Sequence, residues 1–204
     1  MTVQTISKSS GASASAQQWP PLQGNWTYDD YAQLPDNGMR YEVIKGELYM
    51  SPAPSPKHQR IILKLAIALS QFVQSDQLGE IFQSPIDVKM PDIAGAGVVQ
   101  PDLLFITGER LNIVQETLIE GVPDLIVEVL SPGNPLHDRR VKFELYAQAG
   151  VREYWMVDPD ARTVEIYVLR GHAYAPLGNF GVGEQTRSEV LEGFAVDVEK
   201  ICPA

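Results

Sequence analysis

Two carboxylates stand where a folded chain normally places apolar side chains. In "PDLIVEVLSPGN", residues 123–134, Glu128 interrupts a run of Leu, Ile and Val, and in "QPDLLFI" Asp102 opens a second apolar run. Both runs read as buried strands. Side chains alternate across a strand, so Asp102 shares a face with Leu104 and Ile106, and Glu128 shares one with Asp124, Ile126 and Leu130. An isolated charge in such company costs several kcal/mol unless it is paired or bound to a cation, and two acids on neighbouring strands also repel. A hard divalent cation such as Mg²⁺ answers both difficulties. It takes oxygen ligands and needs only one or two carboxylates, with water and a substrate phosphate completing its shell. The ordinary fate of an acid near a strand end is to be solvated or paired with an arginine; two such acids together favour the metal reading.

Hydrolysis at such a centre needs a protein cation to hold water or to offset charge growing on a phosphate. In "HDRRVKFELYAQAG" the residues Val141, Leu145 and Ala149 form an apolar stripe at i, i+4 and i+8, with Lys142 beside it and Tyr146 one turn beyond. Lys142 is thereby placed to look over the sheet face that carries Asp102 and Glu128. The competing reading is a surface lysine paired with Asp138, four residues earlier.

The elements that must position these residues follow from pattern. Thr27 with Asp30 makes a capping-box start for a short helix ending before Pro35, and "RYEVIKGELYM" reads as a β-hairpin turning at Lys45-Gly46. After the loop "SPAPSP", a helix over about 57–77 carries Ile61, Leu65, Leu69, Phe72 and Val73 at helical spacing. Strands are predicted at 81–90, 98–107 and 125–130, then a helix over 136–149 stopped by Gly150. "REYWMVDP" and "RTVEIYVLRG" follow as strands joined by "DPDA", with further strands around Tyr174 and over 190–198. This order predicts an α/β (α+β) fold with a mixed central sheet flanked by helices. Residues 1–20, rich in Ser, Ala and Gln, are expected to be a disordered tail without the features of a secretory signal, and 21–204 a single domain.

Composition limits the function. With 26 acidic against 16 basic residues, a formal net charge of −10, the chain lacks a broad basic face that would hold nucleic acid by phosphate neutralisation alone. Metal ions or a local basic patch must supply the attraction. The candidate patch is Lys57, Arg60 and Lys64 on the first long helix with Arg139, Arg140 and Lys142 on the second. A single cysteine, Cys202, leaves no disulfide framework and no Cys-based zinc site, and no apolar run nears the ~20 residues of a membrane span; a soluble, cytoplasmic protein is expected. Of the histidines, His58, His137 and His172, none forms a zinc-helix pair. Trp155, alternating with Tyr154 and Met156, reads as core or dimer interface.

"QPDLLFI", "PDLIVEVLSPGN" and "DRRVKFELYAQAGVREYWMVDP", in this order and spacing, resemble the Uma family of restriction-endonuclease-like proteins, formerly a domain of unknown function, in the PD-(D/E)XK nuclease superfamily. The resemblance spans about 26–169. It implies a restriction-endonuclease-like core and Mg²⁺- or Mn²⁺-dependent hydrolysis of phosphodiester bonds in nucleic acid, with DNA the expected substrate. It also implies Asp102 and Glu128 as metal ligands and catalytic acids, with Glu42 as an upstream acid added to the metal site. The motif lysine belongs two residues after Glu128, where this chain has Leu130; Lys142 on the following helix is the implied catalytic substitute. His58 matches a family histidine and, with Arg139, is a candidate phosphate contact. A homodimer is expected by analogy with nucleases that cut both strands. The alternative is a nuclease fold that does not cleave and serves as a binding or regulatory module, which the negative charge and the lack of a helix-turn-helix or zinc finger favour.

Overall fold

The capping box forms as the sequence predicts. Thr27 accepts a hydrogen bond from the Asp30 backbone and the Asp30 carboxylate accepts one from the Thr27 backbone at 3.0 Å, starting the one-turn helix α1 (Tyr28–Tyr31). The hairpin of β1 (Arg40–Ile44) and β2 (Glu47–Ser51) turns through Lys45 and Gly46, whose φ values of 53° and 78° are the paired positive angles of a type I′ turn. Gly46 has a second reason to be glycine, since a Cβ there would collide with the Gly24 carbonyl. The computed structural model describes residues 19–90, 97–131 and 137–202, and the expectations for the tail and for the "SPGNP" punctuation lie largely outside them.

The helix α2 (Pro56–Ser75) starts with Pro at its first position and Ser55 as N-cap, and it buries Ile61, Ile62, Leu65, Leu69 and Val73 along one stripe. Then come β3 (Gly79–Gln83), β4 (Val88–Met90), β5 (Gly97–Val99), β6 (Leu103–Thr107), β7 (Ile119–Glu120) and β8 (Leu125–Val129). A π-helical turn at His137–Lys142 leads into α3 (Phe143–Ala149), and Gly150 ends it in the left-handed conformation. The chain closes with β9 (Glu153–Asp158), β10 (Thr163–Arg170), β11 (Ala173–Phe180) and α4 (Val198–Ile201).

The strands form two mixed sheets, one of five strands in the order β2-β1-β5-β4-β7 and one of six in the order β11-β10-β9-β8-β6-β3. Here the structure differs from the sequence reading. The runs 81–90 and 98–107, each predicted as one strand, are each cut in two, and their halves belong to different sheets. A proline stands at each cut, Pro85 and Pro101, and proline cannot donate to a strand ladder. The predicted strand over 190–198 is absent; the region is irregular apart from a bridge between Gln185 and Asp197 and the last turn α4.

In the six-stranded sheet β6 and β8 are antiparallel neighbours, and β8 and β9 are parallel, joined by the crossover that contains α3. One face, with Leu103, Phe105, Leu125, Val127 and Trp155, packs on α2 and α4. The other, with Leu104, Ile106, Ile126, Tyr154 and Met156, packs on α3 and on the five-stranded sheet. Trp155 is therefore core. No helix among the described residues is long and apolar enough to cross a membrane.

Candidate active site

Alternation along β6 and β8 puts Asp102 and Glu128 on the face of Leu104, Ile106 and Ile126, and that face looks toward the five-stranded sheet, which the sequence reading did not foresee. Both are buried, at 2% and 3% exposure. Asp102 sits just before β6 and is held from three sides. Arg40 Nη1 donates to its Oδ1 at 2.9 Å, while His58 Nε2 at 3.0 Å and the Val129 backbone N–H at 2.8 Å reach its Oδ2. Burial alone would raise its pKa; the hydrogen bond from His58 and the charges of Arg40, His58 and Lys142 outweigh this and hold it below the usual aspartate value. Burial also opposes the charge on Arg40, but Asp102, Glu128 and Glu42 around it raise its pKa above the ordinary value.

Lys142 is internal, not a surface lysine. Its Nζ lies 2.8 Å from Glu128 Oε1 and 3.0 Å from Glu42 Oε1, with the lysine itself 3% exposed. The π-helical turn ending at Lys142 sets the helix phase that brings it there. Tyr146, one turn on, donates to the same Glu128 oxygen at 2.7 Å; burial and then the charge of Glu128 raise its hydroxyl well above the usual value, so it remains a donor. Glu42, on β1, faces inward and also accepts from the Gln100 backbone at 2.9 Å. His58 holds its place through the N-cap, where its backbone N–H donates to Ser55 Oγ at 3.2 Å; its Nδ1 is buried with no partner among the described residues.

Five of the predicted residues, Glu42, His58, Asp102, Glu128 and Lys142, thus line one cavity of about 50 Å³. Arg139 lies in the π-helical turn, and its side chain falls outside the described residues. Of the predicted basic rim, Lys57 pairs with Asp160 at 2.7 Å, Arg140 faces Glu144 at 3.8 Å, and Lys142 is inside the acid cluster. The sequence reading missed Arg40, although it stands two residues before Glu42 and so on the same face of β1.

The donors suit a hard cation by type, being carboxylates around a space that takes one ion or water. No three His, Cys, Asp or Glu side chains among the described residues gather around one point, so a set of one or two carboxylates completed by water is what the spacing allows. Arg40 and Lys142 take up much of the carboxylates' hydrogen-bonding capacity meanwhile.

A solved structure shares this chain's architecture. A crystal structure described as a "putative nuclease belonging to DUF820", from Anabaena variabilis ATCC 29413, superposes with a TM-score of 0.69 over 86% of this chain and 97% of that one, at 18% identity, a likeness of fold. The uncharacterized protein slr1290 of Synechocystis sp. is 25% identical over 161 residues, 78% of this chain and 82% of its own length. Residues 28–199 match the Uma2 family, described as "Putative restriction endonuclease", and the chain belongs to that family.

Proposed function

We propose that the protein is a metal-dependent endonuclease that hydrolyses phosphodiester bonds in nucleic acid, with DNA as its substrate. The observation that carries this reading is the buried set of Glu42, Asp102 and Glu128 with Lys142 between two of them, in a chain of a restriction-endonuclease-like family. Asp102 and Glu128 would hold Mg²⁺ or Mn²⁺, with Glu42 as the third, outer acid. When bound, the ion supplies positive charge to a phosphate oxygen and acidity to a water molecule.

The chain's own residues do the rest. Val129 N–H and Arg40 fix the Asp102 carboxylate in one orientation, and Tyr146 does the same for Glu128. Water adds to phosphorus in line with the departing oxygen; as the new P–O bond forms and the old one breaks, one proton of that water passes through solvent to the departing oxygen and its hydroxyl stays on phosphorus. The Lys142 ammonium lies where it offsets negative charge on the phosphate oxygens as they pass through the transition state. His58, near the N-terminal end of α2, and Arg139, in the π-helical turn, are each assigned a phosphate contact.

Cleavage of supercoiled plasmid and of labelled oligonucleotides in Mg²⁺, Mn²⁺ or EDTA tests the proposal, wild type beside Asp102→Asn and Glu128→Gln. Metal-dependent cleavage lost by at least a hundredfold in both variants is expected. Full cleavage by either folded variant refutes the assignment. The second reading, a non-catalytic binding module, draws on one observation: the acids at the cavity are already hydrogen-bonded to protein cations. Binding of nucleic acid by a wild type that cleaves nothing in any metal decides for it.

A further inference from the structure

A second and larger cavity, about 420 Å³, adjoins the acid cluster. The end of β2 and the loop after it form one wall with Met50, Pro52 and Pro54, and Leu130 and Pro159 form the other. The two cavities have Ser51, Pro52, Pro54, His58 and Ser131 in common, so a group filling the larger one lies directly beside the smaller. We propose that the larger cavity receives one unpaired nucleotide next to the bond being cut, which makes single-stranded or locally opened polynucleotide the substrate. This rests on the phosphodiesterase reading above and narrows its substrate class.

Shape argues for it first. A duplex is read by protein elements that project into its grooves. This site is the reverse, a recess that accepts something projecting from the substrate, and a base leaves its stack only in a single strand or by being turned out of a duplex. The volume lies in the range of about 300–1,000 Å³ usual for small-molecule pockets, which suits one nucleotide and excludes a helix. Chemistry agrees. Proline rings, the Met50 thioether and the Leu130 side chain offer apolar surface to the faces of a base, which stack without regard to sequence. At the rim the Lys57–Asp160 pair, with side chains 51% and 73% exposed, presents a donor and an acceptor to a base edge.

Charge points the same way. A chain with a net charge of −10, whose Lys57 and Arg140 already face carboxylates, is poorly equipped for a long run of phosphate contacts. Affinity then comes from a local grip on one nucleotide. The dependence on salt is correspondingly shallow: about two phosphates neutralised on a single strand give a slope of log K against log salt near −1.4, by about −0.7 per phosphate.

The test uses the full chain and a fluorescent 12-nucleotide single strand, with its duplex alongside, in Ca²⁺ to allow binding without turnover. Wild type is compared with Ala53→Trp, which fills the cavity from its loop wall. The expected result is single-strand binding at least tenfold tighter than duplex binding, a shallow salt slope, and a tenfold or greater loss in Ala53→Trp. Equal binding of strand and duplex, or an Ala53→Trp variant that binds like wild type, overturns the proposal. A 5-bromouracil-substituted strand photocrosslinked to the wild type gives a reading independent of any variant. Crosslinks to the lining residues, within 50–58, 130–131 or 159–160, support the pocket, and crosslinks confined elsewhere overturn it. Cleavage in Mg²⁺ or Mn²⁺ is scored separately: pocket-dependent binding without cleavage removes the phosphodiesterase reading alone, whereas cleavage indifferent to Ala53→Trp and to strandedness removes the pocket alone.

Discussion

Replacing Lys142 with methionine tests whether the acid cluster is held together by that one ammonium. Lys142 contacts Glu128 at 2.8 Å and Glu42 at 3.0 Å, and the three side chains are 4%, 4% and 7% exposed in that order. Methionine keeps the volume of the stem and removes the charge. Glu128 keeps the Tyr146 hydroxyl and Glu42 the Gln100 backbone as donors, and Arg40 stays near both, but the ammonium that the two carboxylates share is gone. Breaking a buried pair by removing one partner costs about 3–5 kcal/mol, because the remaining charge is stranded. At about 4 kcal/mol, and a urea slope of about 2 kcal/mol per molar, the unfolding midpoint drops by about 2 M. Urea unfolding followed by circular dichroism in EDTA reads this directly. The double variant Lys142→Met with Glu128→Gln recovers a substantial part of the loss, since one of the stranded charges is gone, and the cycle gives a coupling energy above about 1.5 kcal/mol. Added Mg²⁺ raises the midpoint more in the single variant than in the wild type, as freed carboxylates gain a new counter-charge. A Lys142→Met protein within about 1 kcal/mol of wild type, or a double variant no more stable than the single, refutes the reasoning.

Three further outcomes follow from particular contacts. Asp102, with its pKa depressed, contributes stability that is complete above the ordinary aspartate value of about 3.9 and is lost as pH falls through the lower folded-state value; Asp102→Asn therefore flattens the acid limb of the stability–pH curve, and an unchanged limb counts against the pairing. Glu153 is fully buried and accepts from Trp155 Nε1 at 2.6 Å and from the backbone of Glu189 at 2.7 Å and Val190 at 3.0 Å. Glu153→Ala leaves these donors unsatisfied, costs about 3 kcal/mol or more, and speeds hydrogen exchange at residues 189 and 190 before the rest of the sheet. Gly46→Ala puts a Cβ at φ 78° against the Gly24 carbonyl and lowers stability by about 1–3 kcal/mol in thermal melts, whereas Gly171→Ala, at φ 64° with nothing within 4 Å, costs less.

Much of the candidate site was legible because its residues broke local rules. Asp102 and Glu128 were conspicuous as acids in apolar strands, whereas helical phase left Lys142 open to a surface pairing with Asp138, and it was the family resemblance that singled it out. Arg40 broke no rule, since an arginine at the start of a hairpin strand is ordinary, and only its pairing with Asp102 across 62 positions gives it a role. The fold was legible where hydrophobic period and turn chemistry agreed, as at the Lys45-Gly46 hairpin and α2. The division into two sheets was hidden because apolar content continues through Pro85 and Pro101, and periodicity does not say which sheet a strand joins. Residues 190–198 misled for a related reason: Leu191, Phe194 and Val198 are buried against α2 and β9 without the backbone pairing that makes a strand.

The chain passes between the sheets twice within a short distance, from β3 to β4 and from β5 to β6, and the Ser84 backbone N–H donates to the Asp102 carbonyl at 3.1 Å where the two passages meet. Asp102 consequently sits at a fulcrum. Any rotation of one sheet against the other would have to be taken up at this crossing, with Asp102 held by the Val129 backbone and Glu42 carried on the hairpin. The spacing of the acids is then a mechanical readout of how the two sheets are seated, and small changes far along the hairpin reach the candidate catalytic centre through leverage as well as through contact.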